Sequence, residues 1–83
     1  MTKIKVIRNH KPTLAEMQEW VGGPIEIVWL NDTAVLIIDE EGKIKNKPVN
    51  AKATIHATRN KAIFNNDWIA GDAILMKRSL LDQ

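Results

Sequence analysis

Between residues 43 and 61 the chain carries six basic side chains, Lys43, Lys45, Lys47, Lys52, Arg59 and Lys61, and no acidic one. Such a run either attracts phosphate, on a nucleotide or along a nucleic acid backbone, or forms a solvated face. Pro48-Val49-Asn50 stands at an expected helix start, where Asn50 caps the helix and free amides favour an anion. No aromatic alternates with the lysines, which disfavours stacking on single-stranded bases. Neither a glycine-rich phosphate loop nor a recognition-helix pattern is present. A small anionic ligand such as a nucleotide signal is therefore the favoured occupant. Lys43, Lys45, Lys47 and Lys52 would supply charge, Asn50 hydrogen bonds, and Trp20 or Trp68 a stacking face.

Other reactive side chains are sparse. Asp39-Glu40-Glu41 is either a solvated turn or a weak cation site through Asp39 and Glu41, because neighbouring strand residues point to opposite faces. His10 and His56 lack the spacing of a zinc pair. There is no cysteine, and Ser79 is the only serine. The expectation is no catalytic residue, no metal and no cofactor: a protein that is not an enzyme. Trp29 reads as core, whereas Trp20 and Trp68, at element ends, read as a binding surface or subunit contact.

The elements that must position these groups belong to a single domain over residues 1–83. A chain of this size buries only about 60–65% of its unfolded surface, so self-association is expected to add stability. Apolar residues make up 45% and charged residues 27%, a globular composition. The residues up to 42 hold seven acids and four bases, in contrast to the basic stretch that follows. Without a signal-like apolar run or a membrane span, the reading is a soluble protein of the bacterial cytoplasm.

Lys3 to Arg8 reads as a strand with Ile4 and Val6 inward and Lys3 and Lys5 discouraging edge pairing. Thr13 and Glu16 form a capping-box pattern before Leu14, Met17 and Val21, and Gly22 is placed to end that helix. Ile25–Leu30 and Ala34–Asp39 read as strands joined through Asn31-Asp32. Both are apolar on both faces, so two covers are needed: a second helix or another copy of the chain. Glu26 interrupts the first of them and needs a partner if buried. Lys43-Ile44-Lys45 reads as a short exposed strand. Ala51, Ala53, Thr54 and Ala57 suit a short helix, Arg59 to Asp67 a loop, and Ala73 to Met76 a last strand.

Val21-Gly22-Gly23, Ile25-Glu26-Ile27-Val28, Asp39-Glu40-Glu41-Gly42, Pro48-Val49-Asn50, Ala53-Thr54 and Ile69-Ala70-Gly71-Asp72 occur in that order after a helix. In this the chain resembles a family of small proteins with a domain of unknown function, found mainly in bacteriophages and mobile elements. The resemblance implies a phage-type origin. The expected fold is α+β: a small antiparallel sheet of three to five strands with one longer N-terminal helix and one short helix. The expected function is a non-catalytic accessory protein, its expected partners being further copies of itself and a host component. That component is the small anionic ligand, or alternatively a host protein met by a strand edge and the acidic corner. Nucleic acid held by the 43–61 stretch is a weaker alternative, and a membrane partner is not expected.

Overall fold

In the computed structural model, which describes residues 2–82, the capping pattern begins the first helix. The Thr13 hydroxyl accepts from the Glu16 amide at 3.1 Å, and the Glu16 carboxylate accepts from the Thr13 amide at 2.8 Å. The elements run β1 (Ile4–Ile7), α1 (Leu14–Val21), β2 (Ile25–Trp29), β3 (Ala34–Asp39), α2 (Ala51–Arg59) and β4 (Ala73–Lys77), followed by a 3₁₀ turn at Arg78–Asp82. Asn31 makes the β2–β3 turn: its side-chain oxygen accepts from the Thr33 and Ala34 amides.

The four strands form one sheet in the order β1-β4-β3-β2. β2 pairs antiparallel with β3, and β3 antiparallel with β4, but β1 runs parallel to β4. Each helix covers one face. Met17 and Val21 of α1 pack on Val35, Ile37, Ile74 and Met76. On the opposite face Ala53 and Ala57 of α2 pack with Val28, Leu36 and Ile38. This accounts for the apolar run in β3: alternate residues go to opposite faces, and Val35 through Ile38 are all buried. The small side chains of α2 let its backbone lie close to the sheet.

Several expectations are corrected. The sheet is mixed rather than antiparallel. The N-terminal helix is not the longer one: α1 has 8 residues and α2 has 9. Gly22, at φ 84, stops α1 after two turns. Lys43-Ile44-Lys45 belongs to no strand. Residues 41–47 instead coil through Lys45 N–H to Glu41 C=O and Lys47 N–H to Gly42 C=O bonds, with Asn46 at φ 56. On the sheet edges, Val6 is 50% and Trp29 51% exposed, so neither is core. Glu26 is exposed and needs no buried partner. The end of the chain reads in sequence as a frayed polar tail or one further helical turn; its residues Arg78–Asp82 form the 3₁₀ turn, with Leu80 buried, and Gln83 lies outside the described residues. No helix among them is long and apolar enough to cross a membrane.

Candidate functional site

Asp39 ends β3 with its side chain fully enclosed, and two lysines come to it. Lys47 Nζ lies 2.7 Å and Lys45 Nζ 3.0 Å from the same carboxylate oxygen, while the other oxygen accepts from the Glu41 amide at 2.8 Å. The same amines close the end of α1. Lys47 donates to the Val21 carbonyl at 2.7 Å, and Lys45 to the Gly22 carbonyl at 2.9 Å. These carbonyls have no helical partner, so the cations satisfy them and favour the negative end of the helix. Burial pushes the Asp39 carboxyl up. The hydrogen bonds from Lys47, the Glu41 amide and Lys45 together outweigh it and hold the group below the ordinary aspartate value. The Asp39 hydrogen bond in turn raises Lys45 above the ordinary lysine value.

Lys47 reaches this position through a slot between two glycines. A Cβ on Gly22 would stand 2.6 Å from Lys47 Nζ, and one on Gly71 would stand 2.9 Å from Lys47 Cδ. Both glycines also hold positive φ, 84 and 89. Thus Val21-Gly22, Asp39 and Gly71, far apart in sequence, meet around one lysine stem.

Asn50 is buried beside them. Its side-chain oxygen accepts from the Ala53 amide at 3.1 Å, capping α2. Its amide nitrogen donates to the Lys3 carbonyl at 3.1 Å and to the Gly71 carbonyl at 2.9 Å. With those bonds Asn50 joins the start of α2 to the approaches of β1 and β4.

Lys43 and Trp68 share a separate cleft of about 160 Å³ with Glu26, Glu40 and Asp67. The Lys43 amine pairs with Asp67 and lies 4.5 Å from the centre of the Trp68 ring. Lys43, as hydrogen-bond donor, is the main reason the Asp67 carboxyl sits below its ordinary value. Glu26 and Glu40 leave the cleft acidic. Trp20 lies on the other face, its indole N–H donating to the Ala73 carbonyl at 3.1 Å and Lys5 standing 5.2 Å over its ring.

The residues expected to hold an anion are therefore distributed. Lys45, Lys47 and Asn50 serve internal contacts at one end of the sheet, Lys43 and Trp68 line the acidic cleft, and Trp20 shares a shallow groove with Lys47. Lys52 is the exception. It lies on the solvent side of α2 with His56 and Arg59, at i, i+4 and i+7, and Lys61 follows the helix; all four are exposed. None of them forms an ion pair among the described residues. The sequence signal for this face was helical spacing within the basic run, which total charge concealed.

The β2 edge is the other open feature. Leu30 N–H bonds the Ala34 carbonyl and Glu40 N–H the Pro24 carbonyl, so the even-numbered backbone positions of β2 face β3. Ile25, Ile27 and Trp29 consequently present their N–H and C=O groups outward. Among the described residues no strand lies beyond them.

Compared with known proteins, residues 1–80 match the family model described as a domain of unknown function, DUF3846. No curated protein matches, and no solved structure matches.

Proposed function

The chain belongs to the DUF3846 family, and from that premise we propose that it is a non-catalytic accessory protein that binds an anionic host component through the outward face of α2. The reading includes a phage-type origin and action in the bacterial cytoplasm. One observation carries it: the basic stretch divides in two. Lys43, Lys45 and Lys47 are matched by Asp67 and Asp39, whereas Lys52, Arg59 and Lys61 face solvent without an acidic partner among the described residues. Cations spread along a helix face suit an extended array of phosphates better than one enclosed nucleotide.

Fluorescence anisotropy with labelled oligonucleotides over a salt series tests this. Three phosphate contacts on duplex DNA give a log–log salt slope of about −2.7. The expected result is binding with a slope of that order, abolished in Lys52→Glu/Arg59→Glu. Binding of a mononucleotide that ignores those substitutions and is lost in Lys43→Ala would return the site to the cleft of Lys43 and Trp68.

A host protein is the second reading. The open β2 edge, with Glu26 and Glu40 in the neighbouring cleft, favours an extended segment of a partner. Affinity capture from bacterial lysate that depends on Glu26 and Glu40 but not on Lys52 and Arg59 would favour it.

A further inference from the structure

We propose that β2 is the contact between two copies of this chain, paired antiparallel about a two-fold axis at Ile27 to make one continuous eight-stranded sheet. This inference is independent of the anion reading. Ile25, Ile27 and Trp29 turn three N–H and three C=O groups toward the open edge, a row ready to pair.

The two edges of the sheet differ in their protection. On β1 the flanking charges Lys3, Lys5 and Arg8 keep another strand away. β2 has one charge of its own, Glu26, and ends in Trp29, which is 51% exposed and carries the Arg78 guanidinium 4.9 Å over its ring. A partner chosen by chemistry must therefore offer an apolar, extended edge, and β2 itself is such an edge.

The register follows from the residues. Centred on Ile27, the pairing opposes Ile27 to Ile27, and Ile25 to Trp29 in both directions. All three outward positions of each strand then exchange backbone hydrogen bonds. Ile25, Ile27 and Trp29 also share one face, so each indole stands beside an isoleucine, an aromatic–β-branched pair. Glu26 falls opposite Val28. Moving the axis one residue back would set Glu26 against Glu26, a like-charge pair that disfavours that register. The contact is isologous and closes at two copies, because each chain uses the same edge once.

Sedimentation velocity on the full chain from micromolar to millimolar concentration tests the proposal. The expected species is twice the 9.4 kDa chain. Ile27→Pro removes an outward N–H and should leave only monomer. Val6→Pro, on the other edge, should leave the dimer intact. Trp29→Lys is a second disrupting variant in case the proline unfolds the strand, and circular dichroism reports folding of each. Amide exchange at Ile25, Ile27 and Trp29 should slow by about tenfold or more as concentration rises. A wild-type chain that stays monomeric throughout would overturn the proposal, including the case in which the edge serves a different protein. So would a dimer that survives both folded β2 variants.

Discussion

Asp39 illustrates how a buried carboxylate dictates the roles of distant residues. Enclosed charge is costly unless paired and hydrogen-bonded, and here both oxygens of the carboxylate have donors. Lys47→Met removes one cation and leaves Lys45 and the Glu41 amide. Complete loss of a buried partner costs about 3–5 kcal/mol, and with those contacts retained about 2–3 kcal/mol is expected. In a domain of this size that lowers the melting midpoint by roughly 10–20 °C, as differential scanning calorimetry would read. Because the folded-state pKa of Asp39 lies below its ordinary value of 3.8, the stability it contributes is present above that value. It is lost as pH falls from there through the folded pKa. Denaturant titrations between pH 5 and pH 2 should therefore show a smaller acid-side loss in Lys47→Met than in the wild type. A parallel loss in both would mean that Lys47 does not hold this carboxylate ionised.

At the scale of elements, the glycines around Lys47 set how closely α1 and the start of β4 approach. Gly71→Ala adds a methyl 2.9 Å from Lys47 Cδ, closer than van der Waals contact, and places a side chain at φ 89. The left-handed conformation alone costs about 1–2 kcal/mol. A double-mutant cycle of Gly71→Ala with Lys47→Ala should show coupling of about 0.5 kcal/mol or more, since removing the lysine stem relieves the contact. Strict additivity would show that the slot is not tight. Much at this scale was legible in the sequence. Thr13, Glu16 and Gly22 mark α1 through local hydrogen bonds, and the two-sided apolarity of β3 requires two covers. The parallel pairing of β1 with β4 was not legible, because no local residue signals a partner so far along the chain. Nor were the roles of Lys45 and Lys47: their spacing reads as solvated charge, while their long stems carry the amines to Asp39. The exposed face of α2 was legible only in part, since Lys52, His56 and Arg59 stand out once the helix phase is known.

For the whole molecule, the two proposals meet in one geometry. An antiparallel two-fold pairing across β2 keeps both α2 helices on the same face of the extended sheet. Two basic faces then act together on any polyanion long enough to span them, as linked sites gain through effective concentration. Ile27→Pro should weaken binding of a long oligonucleotide by roughly 10²-fold while leaving a short one unchanged. Anisotropy with a length series measures this directly. Equal losses at every length would indicate that the variant damages α2 itself rather than the pairing.

The strand order carries a consequence for biosynthesis. β4 lies between β1 and β3, so β1 has no neighbour in the sheet until residues 73–77 join it. A chain emerging from the ribosome can close the β2–β3 hairpin early, but α1 and α2 then have only part of a sheet to cover. Its first strand waits for its last. The molecule consequently completes its core only once β4 has been made and inserted, and any nascent chain stopped before β4 leaves exposed the apolar surface that chaperones and proteases recognise.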